Sequence, residues 1–108
     1  MVKQGSGVTD QDLEQLTSLF RLLSDKTRLN ILMLLAQGER NVSTLCRELA
    51  LPQPTVSHHL GLLRMSNLIG NRRNGKQVFY GLQKPADGED VNVMEFVLQN
   101  LAVRVTAK

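Results

Sequence analysis

The only two histidines of the chain, His58 and His59, are adjacent in the stretch PTVSHHLGLLRMSN, residues 54–67. Imidazole rings bind transition metals, and their ring nitrogens can also form hydrogen bonds with nucleic acids. An α-helix turns about 100° per residue, so adjacent side chains point apart and cannot converge on one ion as an i, i+4 pair can. The spacing therefore argues against a metal chelate within one chain and predicts different environments for the two rings.

A helix over about residues 54–67 would create those two environments. Three apolar residues recur at helical spacing and mark its buried face: Val56, Leu60 and Leu63. His59 flanks this face, which predicts a partly buried ring with a backbone or side-chain partner. His58 points almost opposite, which predicts a solvent-exposed ring.

The first turns of the same helix carry short side chains that can form hydrogen bonds with base edges. A short helix over residues 42–50 and a tight break at Leu51-Pro52-Gln53 precede it, and this arrangement is a helix-turn-helix candidate. In such motifs the start of the second helix approaches the bases. The residues predicted to read bases are Gln53, Thr55, Ser57 and His58.

A β-hairpin is predicted next, because Asn74-Gly75 lies between two extended runs and favours a two-residue type I′ turn. Such a loop would place Arg73 opposite Lys76, and like charges directly opposite each other are destabilising. The pattern fits an anion over the hairpin tip, which we favour, or a solvated tip that tolerates a small penalty. The stretch of residues 64–84 contains five cations and no acid. The residues predicted to hold phosphates or the minor groove are Arg64, Arg72, Arg73 and Lys76.

Three helices in all are predicted before the break at Leu51-Pro52-Gln53. Thr9 and Asp12 form a capping-box pattern that begins a helix over residues 10–23. Ser24 is predicted to cap a second helix over residues 25–37, and Asn41 a short third helix over residues 42–50.

A last helix is predicted over residues 89–105, with more apolar surface than one helix face can bury in a small monomer. This surplus favours a dimer over a helix that lies in a groove of its own core. The residues predicted at the dimer interface are Leu13, Leu16, Phe20, Met94, Leu98 and Leu101.

The chain has 108 residues, a net charge of +3 and a single cysteine, Cys46. These values predict one globular domain over residues 9–105, between a flexible arm (residues 1–8) and a tail (residues 106–108). One cysteine excludes an intramolecular disulfide framework and fits a reducing cytoplasm. No apolar run suits a signal peptide or a membrane span, and no phosphate loop or nucleophile–base set suggests an enzyme or a cofactor.

Three stretches resemble the ArsR/SmtB family of winged-helix repressors: LSDKTRLNIL (residues 23–32), QPTVSHHL (residues 53–60) and NRRNGKQVFY (residues 71–80). They are similar to the opening motif, the start of the recognition helix and the wing of that family. The resemblance covers about residues 13–83 without gaps. It implies a mainly α, dimeric winged helix-turn-helix fold, with four helices, a small β-hairpin wing (about residues 68–83) and a fifth helix. It also implies a homodimeric repressor on a double-stranded DNA operator, with the first and last helices at the interface and an inducer that is often a metal ion or an arsenical.

The sequence departs from the family at both of its usual metal sites. Asn41 and Ser43 stand where many members have a Cys-x-Cys pair, and the predicted last helix has neither histidine nor cysteine. Cys46 fits a small buried hydrophobe better than a sensor. We therefore expect no metal site, and the open alternatives for regulation are another signal, thiol oxidation at Cys46, or the abundance of the protein itself. An alternative function is a winged helix for protein contacts only, against which the acid-free basic stretch argues.

Overall fold

The computed structural model describes residues 7–83, 93–97 and 102–106. Four helices come first, with a two-residue strand between the second and third, and two β-hairpins follow. The elements are α1 (Asp10–Leu23), α2 (Lys26–Ala36), β1 (Arg40–Asn41), α3 (Val42–Leu49), α4 (Gln53–Met65), β2 (Ile69–Asn74), β3 (Gln77–Leu82), β4 (Val93–Val97) and β5 (Ala102–Thr106). The predicted winged helix-turn-helix is confirmed, with α3 and α4 as its two helices and β2–β3 as its wing.

The start of α1 has the predicted capping box. The Thr9 hydroxyl accepts the Asp12 N–H at 3.1 Å, and the Asp12 carboxylate accepts the Thr9 N–H at 3.1 Å. Both bonds satisfy N–H groups that have no partner inside the helix. None of the described helices is long and apolar enough to cross a membrane.

The cap of α2 differs from the prediction by one residue. Asp25 caps the helix, because its carboxylate accepts the Arg28 N–H at 3.0 Å. Ser24 instead belongs to the end of α1, where its hydroxyl donates to the carbonyl of Arg21 at 2.8 Å. The predicted cap at Ser24 is therefore wrong, since the serine hydroxyl is already used by the preceding helix.

The turn of the helix-turn-helix motif is a Schellman motif at the end of α3. The Leu51 N–H donates to the Cys46 carbonyl at 3.2 Å and the Ala50 N–H to the Arg47 carbonyl at 3.3 Å. Ala50 has a left-handed conformation, with φ 56° and ψ 46°. This conformation usually requires glycine, so the sharp turn between α3 and α4 is made with some backbone strain.

Among the described residues, one hydrophobic core joins the helices to the sheets. Leu45 of α3 is fully buried, and Phe96 of β4 also reaches the core, so the second hairpin packs against the same core. The buried core residues are Leu19, Ile31, Leu32, Leu35, Leu45, Val56, Leu60, Leu63, Leu68, Ile69 and Phe96. These contacts fix α4 and the wing relative to each other, because Ile69 begins β2 from inside the core.

The wing sheet is antiparallel in the order β1-β3-β2, and its register corrects one prediction. Asn74 pairs with Gln77, so the loop residues are Gly75 and Lys76, and Arg73 lies opposite Val78 rather than Lys76. Gly75 has φ +64°, whereas the φ of Lys76 is not positive. A type I′ turn requires positive φ at both positions, so the turn has the type II′ pattern instead. The expected like-charge pair at the tip does not form.

The predicted last helix is wrong wherever the structure describes its residues. Residues 93–97 and 102–106 form β4 and β5, which pair antiparallel with Val93 opposite Thr106 and Val97 opposite Ala102. Glu95 and Arg104 are directly opposite, and their side chains form an ion pair at 3.3 Å. The many β-branched residues of this segment fit a pleated strand better than a helix, where their χ1 freedom is restricted.

Candidate nucleic-acid interface

One side of α4 is buried and the other faces solvent. Val56 and Leu63 are completely buried in the core. Three of the residues predicted to read bases, Gln53, Ser57 and His58, are exposed, and the fourth, Thr55, is half-buried. The exposed side of α4 therefore presents amide, hydroxyl and imidazole groups from one short stretch, and these groups can form hydrogen bonds with base edges.

The two histidines lie in the different environments that the helical geometry predicts. His58 is exposed, whereas His59 is half-buried and its Nδ1 lies 3.3 Å from Nη1 of Arg28. A guanidinium group has no acceptor, so Arg28 donates and Nδ1 of His59 must be unprotonated. The ring centroids of His58 and His59 are 5.5 Å apart at an interplanar angle of 60°. This edge-to-face contact joins an exposed ring to a half-buried one.

Arg28 connects α4 to the first two helices, a role that the sequence analysis missed. Its Nε donates to the Leu22 carbonyl at the end of α1 at 2.7 Å, and its Nη1 lies 4.0 Å from the Asp25 carboxylate. The backbone N–H of Arg28 lowers the pKa of Asp25 below its ordinary value, and the charge of Arg28 lowers it further against the opposing effect of burial. Arg28 belongs to the LSDKTRLNIL stretch, so its position in that motif was the available signal.

Three of the four cations predicted to hold phosphates are exposed and have no ion-pair partner among the described residues. Arg64 lies in the last turn of α4, and Arg73 and Lys76 lie at the tip of the wing. None of the three forms an ion pair with any residue in the described part of the chain. Because α4 packs against β2, these charges and the exposed side of α4 belong to neighbouring elements.

The fourth predicted cation, Arg72, already has a carboxylate partner. Its Nε and Nη2 lie 2.9 Å and 2.8 Å from Oε1 of Glu39, and its guanidinium lies 5.1 Å from the centre of the Phe79 ring. The hydrogen bond and charge of Glu39 raise the pKa of Arg72. Nothing in the sequence singles out Glu39 as the partner, because it lies 33 residues before Arg72 and outside the acid-free basic stretch.

The residues predicted at the dimer interface are only partly described. On α1, Leu13 and Phe20 are 38% and 53% exposed and Leu16 is half-buried. Met94 lies in β4, in place of the predicted helix, and Leu98 and Leu101 lie outside the described residues. The exposed apolar side chains of α1 are thus the part of the predicted interface that the structure describes.

The two positions at which many ArsR/SmtB proteins have a Cys-x-Cys pair are occupied here by Asn41 and Ser43, which carry no thiolate. Asn41 has its side-chain oxygen on the Thr44 N–H at 2.8 Å, where it caps α3. Ser43 is exposed, and Cys46 is half-buried against the core. Among the residues that the structure describes, no group of three or more histidine, cysteine or acidic side chains could hold an ion.

Comparison with known proteins identifies the family. A sequence model described as "Bacterial regulatory protein, arsR family" matches residues 25–70. The biofilm growth-associated repressor of Xylella fastidiosa is 35% identical over 91 residues, which cover 81% of this chain and 80% of that protein. The chain belongs to the arsR family. The expected resemblance is therefore confirmed, and the matched residues include α2, α3 and α4.

Two further similar proteins match this chain over different shares of their own length. The HTH-type transcriptional regulator KmtR of Mycobacterium tuberculosis is 39% identical over 74 residues, which cover 68% of this chain but only 57% of KmtR. A homodimeric winged helix-turn-helix DNA-binding domain from Mycobacterium bovis, solved by NMR, is 33% identical with a TM-score of 0.63. That match covers 84% of this chain and 80% of the domain, so the similarity in fold extends beyond the helix-turn-helix motif.

Proposed function

We propose that this arsR-family chain is a homodimeric repressor that binds a double-stranded DNA operator in a sequence-specific manner. The observation that carries this proposal is the exposed polar side of α4, together with cations of α4 and the wing that have no ion-pair partner among the described residues. A helix with such a side fits the major groove, and a hairpin with such a tip fits the backbone or the minor groove. The two relatives named as repressor and regulator support the same interpretation.

The two sets of residues have different roles in the proposed complex. Gln53, Thr55, Ser57 and His58 read base edges, and Arg64, Arg73 and Lys76 neutralise phosphates. Base contacts give specificity, whereas phosphate contacts give affinity and position the protein on any sequence. A repressor needs both, because genomic DNA offers a large excess of non-specific sites.

The proposed dimer places two copies of α4 on one face of the DNA. Exposed Leu13 and Phe20 on α1 support an interface there, and the Mycobacterium bovis domain of similar fold is described as homodimeric. Two-fold symmetric proteins bind half-sites about one helical turn apart, so the operator is expected to be a palindrome of that spacing. Such a protein acts where the chromosome is, which in bacteria is the cytoplasm.

The signal that releases the operator is proposed to be different from the metals that the family commonly binds. The use of Asn41 as a helix cap and the exposure of Ser43 support this view, because neither provides the thiolate that soft metals require. Oxidation of Cys46 and control by protein abundance stay as the alternatives.

Selection of bound DNA from a random pool tests the proposal. We expect enrichment of a palindrome with half-sites about 10–10.5 base pairs apart. Binding of the selected site and of an unrelated duplex is then measured over a range of salt concentrations for the wild type and for a variant with both Arg73→Glu and Lys76→Glu. The variant should bind both duplexes more weakly and with a flatter dependence on salt.

Two outcomes would contradict the proposal. A pool that shows no enriched sequence, while duplex DNA is bound, would remove sequence-specific binding. A wild-type chain that binds no duplex at low salt would favour the alternative of a winged helix that contacts only proteins.

A further inference from the structure

We propose that Glu39 sets the affinity of the wing for DNA: its carboxylate neutralises Arg72, so that this arginine adds no net phosphate contact. The inference rests on the proposed DNA-binding function and concerns the regulation of that same surface. It divides the cations of the wing into two kinds, with Arg73 and Lys76 available to phosphate and Arg72 committed to an internal partner.

The geometry of the pair is that of two charge-assisted hydrogen bonds to one carboxylate oxygen. Two adjacent donors of the Arg72 guanidinium, Nε and Nη2, both lie within 2.9 Å of Oε1 of Glu39. Hydrogen bonds between two charged groups are shorter and stronger than neutral ones. The guanidinium also lies over the Phe79 ring, so it is held from two directions.

Gly81 of β3 leaves room for the Glu39 side chain. Arg72 and Phe79 are directly opposite in the β2–β3 register, and Gly81 is two residues beyond Phe79, so all three lie on one face of the sheet. A Cβ atom at Gly81 would lie 3.1 Å from Cγ and 3.6 Å from Oε2 of Glu39. The missing side chain therefore lets the glutamate lie close along this face and reach Arg72 across β3.

The backbone that carries Glu39 is itself well held. Arg40, the next residue, pairs with Tyr80 in the sheet, and its Nε forms an ion pair with Glu48 of α3 at 3.0 Å. The Nη1 of Arg40 also donates to the Gly38 carbonyl at 2.8 Å. The Glu39 carboxylate is thus presented from a fixed segment that connects the wing to the helix-turn-helix.

The consequence for DNA binding does not depend on a strong pair. Both side chains are about half exposed, and such surface pairs are individually weak, so a phosphate could displace the carboxylate. The displaced carboxylate would nevertheless stay near the same phosphate and repel it. The pair as a unit therefore contributes almost no net charge to the contact with DNA.

A double-mutant cycle with Glu39→Gln, Arg72→Gln and both together tests the inference, with binding to a random-sequence duplex measured as a function of salt. Glu39→Gln frees one cation, so affinity should rise and the slope of log affinity against log salt should steepen by about 0.9. That slope corresponds to an additional loss of about 3.5-fold in affinity between 50 and 200 mM salt. Arg72→Gln leaves the Glu39 carboxylate without its partner, so it should weaken binding, and the double variant with Glu39→Gln and Arg72→Gln should return to the wild-type slope.

Matched controls separate this pair from general effects of charge. Glu48→Gln removes an acid that is paired with Arg40 rather than with a wing cation, so the slope should stay at the wild-type value. Arg73→Gln removes an unpaired wing cation and should flatten the slope by about 0.9. The exchanged variant, Glu39→Arg with Arg72→Glu, restores an ion pair in reverse and should recover both the wild-type slope and the wild-type melting temperature.

The inference is overturned if the double variant with Glu39→Gln and Arg72→Gln has a slope flatter than the wild type by as much as Arg73→Gln does, because Arg72 would then be a phosphate contact despite Glu39. It is also overturned if Glu39→Gln and Glu48→Gln change binding equally. Either result would leave the proposed function intact, since the wild type would still bind DNA. A wild type that binds no duplex would overturn both proposals together.

Discussion

A single step along α4 separates two identical side chains into different roles. His58 is exposed beside Ser57, whereas His59 is turned toward the first two helices and accepts a hydrogen bond from Arg28. This difference follows from the helical wheel alone and was predictable from the spacing of the buried Val56 and Leu60. The identity of the partner was not predictable, because Arg28 is 31 residues away and is brought to His59 only by the packing of α2 on α4.

Replacing Ser57 and His58 with alanine should weaken operator binding by about 1–3 kcal/mol for each base contact that the substitution removes, with little effect on random DNA. Both residues are exposed and alanine is a good helix former, so thermal stability should hardly change. Competition binding with operator and random duplexes measures the effect. Equal weakening on both duplexes would show that the exposed side of α4 only docks and that recognition lies elsewhere.

Replacing His59 with alanine should do the opposite. Loss of the hydrogen bond between Arg28 and His59 is expected to cost about 1–3 kcal/mol of unfolding free energy, because the donor is charged. The ratio of operator to random binding should change little in the protein that remains folded. Thermal denaturation and competition binding together check this expectation, and a variant that loses discrimination at unchanged stability would contradict it.

At the scale of the elements, prediction succeeded where local chemistry decides the structure. The capping box of α1 and the cap of α3 at Asn41 were predicted correctly, since each uses a side chain within three residues. The wing was placed correctly, but its turn was off by one residue, because Gly75 suits both candidate turns and only the pairing of β2 with β3 distinguishes them. Without that register, the sequence could not show that Arg72 lies over Phe79.

The second hairpin was wrongly predicted as a helix because its apolar residues fit two periods. Val93 and Val97 are four residues apart. This spacing places them on one side of a helix, and it also places them on one face of a strand, whose period is two. The resemblance to the family added weight to the helix. Glu95 pairs with Arg104 across β4 and β5. This pairing depends on the tertiary structure and cannot be read from either periodicity.

The cap of α2 gives a stability prediction with a definite pH dependence. Asp25→Ala should lower the unfolding free energy by about 0.5–2 kcal/mol at neutral pH. The pKa of Asp25 is lowered in the folded chain from an ordinary 3.8, so the stabilisation by its charge is complete above that value and is lost as the pH falls through the lower folded pKa. Urea unfolding at several pH values measures this.

Two further variants make the cap experiment specific. Asp25→Asn retains a good capping acceptor and should lose only the pH-dependent part of the effect. Ser24→Ala should cost less than Asp25→Ala, because the Ser24 hydroxyl makes only an exposed bond to the Arg21 carbonyl. If Ser24→Ala proves the more damaging, the cap lies at Ser24 after all.

At two positions, exchanging glycine and alanine should stabilise the fold: Gly61 lies within a helix, and Ala50 has a left-handed conformation. Gly61 is helical and exposed, and an added Cβ atom there would meet no other atom within 4 Å, so Gly61→Ala should stabilise by about 0.5–1 kcal/mol. Ala50 is left-handed, so Ala50→Gly should stabilise by about 1 kcal/mol. Melting temperatures should rise by about 4–8 °C per kcal/mol for each variant. A fall in either one would contradict the conformation assigned to that residue.

At the scale of the whole molecule, the chain is proposed to form a homodimer. The exposed apolar residues of α1, Leu13 and Phe20, are proposed to lie at its interface. Phe20 is 53% exposed, so Phe20→Asp should not disturb the core of one chain. In a dimer the same change would bury a charge against apolar surface, and the equilibrium should move to the folded monomer at micromolar concentration. Analytical ultracentrifugation and circular dichroism measure the two properties.

Met65→Asp is the matched control for the dimer experiment. Met65 is 82% exposed near the end of α4, away from α1 in sequence and on the proposed DNA side. This variant should remain dimeric. A Phe20→Asp variant that also stays dimeric would exclude α1 as the main interface.

The edges of the wing sheet have a consequence for molecules crowded together on DNA. Sheets with long, flat, apolar outer strands recruit strands from other molecules and aggregate. Here one outer strand, β1, is only two residues long, and the outer half of the other, β2, consists of exposed polar residues that include two arginines. Neither edge of the wing sheet offers a template for strand addition, so neighbouring copies at high local concentration do not join edge to edge through their wings.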